Sequence, residues 1–118
     1  MTYISGFLVP VPTARREDYR RMAEEFAHVF KDYGAIEIVE AWGENIPDGT
    51  VTDFRRSVQA TAEESVVISW IIWPDKATAD ACEAKMHEDE RFAPPEDMIF
   101  DGKRMVFGGF VPIVSIRA

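Results

Sequence analysis

Among its 118 residues the chain has a single cysteine, Cys82, so no disulfide can form within it and a reducing compartment is its natural home. It has only two histidines, His28 and His87, and neither stands in a recognisable metal-ligand spacing. No metal site is expected. Positive charge is scarce, with 13 Lys and Arg against 21 Asp and Glu and a net charge of −8. Such a surface repels phosphates along the whole approach path, so neither nucleic acid nor anionic membrane is an expected partner. Apolar runs stop far short of the ~20 residues a membrane helix needs. Met1-Thr2-Tyr3 enters an apolar segment with no basic leader and no small-residue cleavage site, and the expected location is cytoplasmic. Gly-x-Ser-x-Gly, Cys–His pairs and phosphate loops are all missing, and no cofactor is expected.

What remains is a surplus of strand-like apolar surface. Apolar residues make up 47% and charged residues 29%, the balance of an ordinary globular protein, and the length predicts one domain over residues 1–118. Four segments read as strands: Tyr3–Val11, Ala35–Trp42, Ser65–Trp73 and Met105–Ser115. In Val66–Trp73 both alternate sets are oily, Val66, Ile68, Trp70 and Ile72 on one side and Val67, Ile71 and Trp73 on the other. Such runs predict strands buried on both faces.

Only two segments read as good helices. The first spans Ala14–Tyr33, with Thr13 as N-cap, a stripe of Tyr19, Met22, Ala23, Phe26, Phe30 and Tyr33, and Gly34 as left-handed stop. The second spans Lys76–Glu88, capped by Asp75, with a thinner stripe of Thr78, Ala79, Cys82 and Met86. On that stripe Cys82 reads as a buried structural thiol. The long polar stretch Gly43–Glu64 carries the turn Pro47-Asp48-Gly49-Thr50, and one helical turn is expected over Thr52–Val58.

The order β-α-β-β-α-β predicts an α+β, ferredoxin-like fold: a four-stranded antiparallel sheet with both helices on one face. Two helices leave the second oily face bare. Its simplest cover is a second copy of the chain, so a sheet-to-sheet homodimer is expected.

Several motifs are similar to those of an uncharacterised bacterial family, the YbaA-like domain of unknown function. They are Phe30-Lys31-Asp32-Tyr33-Gly34-Ala35, Trp42-Gly43, Pro47–Phe54, Ser69-Trp70 and Phe100–Phe110. The likeness runs from Tyr3 to about Val114. It implies the dimeric α+β barrel fold shared with small cofactor-free monooxygenases, and it implies no particular reaction. Relatives often read Asp-Pro-Arg where this chain has Asp89-Glu90-Arg91.

Polar and aromatic groups near strand ends are the candidates for a site. Trp42, Asp53, Trp70 and Arg104 are taken as ligand-binding residues, Arg104 to orient an anionic group and Asp53 as a base. Tyr3, Arg55, Arg56, Asp101 and Lys103 lie nearby in the pattern. Each also has a structural reading: Asp53 as a cap, Arg104 paired with Asp53 or Glu40, and the tryptophans as core or dimer interface. The expected function is binding or conversion of a small organic molecule between sheet and helices. The alternative is a non-catalytic dimeric protein-interaction module.

Overall fold

β-branched and aromatic residues dominate the segments that extend, and the turns between them sit where Pro, Gly and Asp interrupt the pattern. A computed structural model describes all residues 1–118. Its elements are β1 (Tyr3–Pro12), α1 (Arg16–Asp32), β2 (Glu37–Trp42), α2 (Phe54–Ser57), β3 (Glu64–Trp73), α3 (Lys76–Lys85) and β4 (Val106–Phe110). Short 3₁₀ turns lie at Thr13–Arg15, Glu90–Phe92 and Gly102–Arg104. The four strands form one sheet in the order β2-β3-β1-β4, and every neighbouring pair is antiparallel. This is the arrangement of two split βαβ units, as expected.

Several boundaries differ from expectation. The Thr13 hydroxyl does not cap α1. It bonds Ser65 Oγ at 2.8 Å, and the Thr13 N–H donates to the Glu63 carbonyl, tying the chain to β3 instead. The helix proper therefore starts at Arg16 without a side-chain cap. It stops as the sequence predicts: Gly34 has φ +104°, its N–H donates to Lys31 O, and that of Ala35 donates to Phe30 O. This paired closure satisfies the last carbonyls and spends Ala35 on the cap, so β2 begins at Glu37. Asp75 does cap α3, accepting from Thr78 N and Oγ1 at 2.7 Å each, but α3 ends at Lys85 rather than Glu88. Asp53 caps α2, the expected single turn.

The last strand is shorter than its pattern. β4 pairs with β1 from Val106 opposite Leu8 to Phe110 opposite Ile4, and β1 itself begins at Tyr3. Beyond Phe110 only Tyr3 of β1 is left, opposite Val111, and Pro112 follows with no N–H to donate. Val111–Ala118 leaves the sheet, with Ile113 95% and Ile116 88% exposed.

Register assigns the faces. Ser5, Phe7, Val9 and Val11 of β1 lie opposite Ile71, Ser69, Val67 and Ser65, and this side meets the helices. Its core has two parts. One gathers Val9, Val11, Tyr19, Ala23, Val67 and Ile99; the other gathers Ile71, Trp73, Ala79 and Cys82. The opposite face carries Ile4, Leu8, Val39, Ile68, Trp70, Ile72, Val106 and Phe110, and neither α1 nor α3 lies on it. There Ile68 is 40% and Phe110 57% exposed. Pro10 and Val66 of this face are buried at one end, where the connection 43–63 folds against β3.

Candidate functional site

The two helices fill their halves of the covered face differently. α1 brings Tyr19, Met22 and Phe30 to the sheet, and Phe92 of the segment after α3 packs in beside it, against the cluster that holds Ala79 and Cys82. Phe92 sits among Phe26, Phe30 and Tyr33 with ring centroids 5.2–6.3 Å apart. Tyr33 Oη donates to Asp89 at 2.7 Å, and Arg91 bridges Asp89 and Asp32. α3 offers the sheet little more than Ala79 and Cys82. A helix with such small inward side chains cannot fill the space it stands over.

The result is a cavity of about 400 Å³ between α3 and the sheet. Its floor is Tyr3, Ser5 and Phe7 of β1 with Ile71 and Trp73 of β3. Phe30 forms one wall, and Ala79, Cys82 and Met86 the roof. The remaining side is Met105 and the β4 stretch Phe107–Gly109, which no helix covers, and Phe107 is 68% exposed there. Asp80, Glu83 and His87 stand at the mouth.

The two glycines of β4 have the role expected of strand glycines, which is close approach. A Cβ on Gly109 would lie 1.8 Å from the Tyr3 hydroxyl oxygen, so only glycine lets that ring lie across the strand. On the opposite face the Phe110 ring packs over Gly6 and Gly108. Trp73 Nε1 donates to Ser5 Oγ at 3.0 Å and fixes the indole in the floor. Burial, with Asp89 and Glu83 nearby, pushes the Cys82 thiol up to about 11. It stays protonated at neutral pH and is no nucleophile. No group of three or more His, Cys, Asp or Glu is placed to hold a metal ion.

The four residues singled out from sequence are not brought together. Trp42 pairs with Val67 and faces the helices, where the Arg16 guanidinium lies 5.4 Å from its ring centre. Trp70 lies on the bare face. Asp53 Oδ1 accepts from Arg56 N at 2.7 Å and Oδ2 from Gly49 N at 3.1 Å. Those bonds, the Arg56 one foremost, hold its carboxyl below the ordinary range, which suits a cap better than a base. Arg104 pairs with neither Asp53 nor Glu40. It grips both Glu64 oxygens at 2.7 Å, reaches Asp101 at 3.0 Å, and donates to Gln59 O. Glu40 instead accepts from Tyr19 Oη and Ser69 Oγ.

A second hollow, about 420 Å³, lies over the connection around Asp48, Asp53, Arg56 and Gln59. It is wide open and has one apolar residue in its lining, so it encloses little. The cavity under α3 is the better site on enclosure and chemistry. Tyr3 belonged to the residues near strand ends. Ser5, Trp73 and Phe107 are not among the sequence candidates, and His87 is weighed there only as a metal ligand and set aside. The legible signals were the thin stripe of α3 and the Gly108-Gly109 pair.

Comparison with known proteins places the chain in a family. The model of a protein family of unknown function, DUF1428, matches residues 2–102. The uncharacterized protein YbaA of Escherichia coli K12 is 49% identical over 116 residues, covering 98% of this chain and 99% of its own length. The protein of that name from Shigella flexneri shows the same identity and coverage. The chain belongs to the DUF1428 family.

Proposed function

We propose that this DUF1428 protein binds a small, largely apolar organic molecule in the cavity under α3, and that it does so as a homodimer. The cavity itself carries the reading. Its volume of about 400 Å³ lies within the range of small-molecule sites, roughly 300–1,000 Å³, and a few polar groups converge on an oily floor. The Tyr3 and Ser5 hydroxyls and the His87 imidazole are the groups able to orient a ligand. In this reading Trp70 belongs to the dimer interface, and Arg104 and Asp53 hold the connection before β3 against the sheet.

The bare face supports the dimer. Four strands at ~4.8 Å spacing, about six residues each at ~3.3 Å, present roughly 19 by 20 Å per protomer. Two such faces amount to roughly 760 Å², short of the roughly 1,200 Å² at the low end of stable interfaces, so the dimer needs surface beyond the four strands. Val111, Ile113, Val114 and Ile116, all exposed after β4, extend the apolar surface that a second copy can cover.

Native mass spectrometry of protein purified gently from cells tests both parts. The expected result is a dimer with retained small-molecule mass. Glu83→Trp at the exposed mouth should remove that mass and leave the dimer. A monomer contradicts the interface. Retained mass that survives Glu83→Trp contradicts the cavity.

The non-catalytic interaction module keeps one observation of its own: Val51, 90% exposed, and Phe54 project apolar surface from the long connection. Pull-down with Val51→Ser/Phe54→Ser tests it, since an unchanged set of partners counts against it.

A further inference from the structure

The charges around the cavity are one-sided, and this bears on which molecule it takes. Among all its lining residues there is no lysine or arginine. The two formal charges are both acids, Asp80 and Glu83, on the α3 turn that forms the mouth. Lys76 pairs with Asp80 at 2.7 Å, which leaves Glu83 as the acid without a cation partner. Two cations that follow along the chain are paired elsewhere: Lys85 with Glu88, and Arg91 with Asp89 and Asp32.

Inside, the walls are aromatic. Tyr3, Phe7, Phe30, Trp73 and Phe107 all border the space. Aromatic faces carry negative potential and attract organic cations, and desolvation inside a cavity strengthens that attraction. For a carboxylate or phosphate the lining offers only the neutral hydroxyls of Tyr3 and Ser5 and, at the mouth beside Asp80 and Glu83, the His87 imidazole. The one arginine that the sequence offered for an anion, Arg104, is committed to Glu64 and Asp101.

Resting on the cavity reading above, we infer that the ligand is an organic amine or ammonium, with an apolar body among Tyr3, Phe7, Phe30 and Trp73 and its cationic head towards Glu83. A negative mouth over an aromatic interior also rejects anionic molecules of the same shape, so the site discriminates by charge as well as by size.

Three probes of one skeleton test this: 2-phenylethylammonium, 2-phenylethanol and phenylacetate, titrated into the intact protein and followed by NMR. The expected order is cation, then neutral alcohol, then anion, with the cation about tenfold tighter than the alcohol, the size expected from a desolvated cation–π contact with a nearby carboxylate. Glu83→Gln should remove most of that preference, lowering affinity for the cation far more than for the alcohol. That pattern separates a charge contact from a general loss of structure, which would weaken both alike. Equal binding of cation and alcohol, or tighter binding of phenylacetate, overturns the inference and leaves the cavity reading standing. Failure of all three to bind overturns both.

Discussion

The halves of the covered face differ in how completely they are filled. Under α1 the space is occupied by Tyr19, Met22 and Ala23, with the aromatic group around Phe92 between α1 and the α3 side, and it is fastened by the Tyr33–Asp89–Arg91–Asp32 contacts. Under α3 the inward residues are alanine and cysteine, and a cavity remains. Both halves rest on the same two central strands, so the sheet does not cause the difference. It comes from side-chain volume on the helices. One half is built for stability, and the other gives up packing to keep a space open, a cost that proteins bear chiefly where that space has a use.

Matched substitutions sharpen that contrast. The largest effect is expected from Phe92→Ala, which empties the aromatic group on α1. It should cost about 2–4 kcal/mol in urea denaturation and touch binding under α3 only indirectly, through Phe30, against which Phe92 packs. Phe107→Ala, at the exposed edge of the cavity, should do the reverse: little change in stability and weaker binding. If Phe107→Ala destabilises as much as Phe92→Ala, the two halves are not different in kind.

Enlarging an alanine is the next test. Ala23→Leu on α1 pushes into filled space and should cost about 1–3 kcal/mol. Ala79→Leu on α3 grows into the cavity, so its cost should stay below about 1 kcal/mol, and it should block binding. Equal costs would mean that the space under α3 closes up in solution.

A third test lies at the end of the sheet where the connection before β3 is held. The Arg104 guanidinium, by its hydrogen bonds, draws the Glu64 carboxyl down from its ordinary 4.5 to about 2. A depressed carboxyl favours the folded state above its ordinary value and loses that contribution as pH falls. Stability from this pair is therefore complete above about 4.5 and fades towards about 2. Denaturation midpoints across this window should fall less steeply with acid in Glu64→Gln than in the parent chain. Parallel curves would show that the pair does not hold the connection.

The smallest effect is expected at Gln59. This residue has φ +51° and closes α2 as Gly34 closes α1, with Gln59 N donating to Arg56 O and Ala60 N to Arg55 O. Gln59→Gly should leave the fold unchanged and stabilise it by no more than about 1 kcal/mol, whereas Gly34→Ala should cost at least that much. At Gly34 the added Cβ also meets Thr78 Cγ2 at 3.0 Å.

The contrast between the halves was partly legible from sequence. Strand and helix order followed from periodicity, and the aromatic stripe of α1 and the small stripe of α3 are both visible along the chain. What periodicity does not supply is register. Trp42 and Trp70 both look like strand tryptophans, yet pairing with Val67 and with Gly6 sends them to opposite faces. Arg104 pairs with Glu64, 40 residues away, because both flank the same corner of the sheet, a proximity no local pattern encodes. The end of β4 was hidden for a similar reason. Val111–Ser115 has strand composition, but a strand needs a neighbour, and β1 ends at Tyr3, opposite Val111.

The three tryptophans provide the most direct test of the central claim. Trp73 lies in the cavity floor with its indole N–H on Ser5, Trp42 lies beside Arg16, and Trp70 lies on the bare face. Each gives a separate indole N–H signal in a ¹⁵N–¹H spectrum. On titration with 2-phenylethylammonium, the Trp73 signal should move while those of Trp42 and Trp70 stay in place. Movement of Trp42 or Trp70 with Trp73 unmoved would put the ligand elsewhere on the molecule and contradict a binding site under α3.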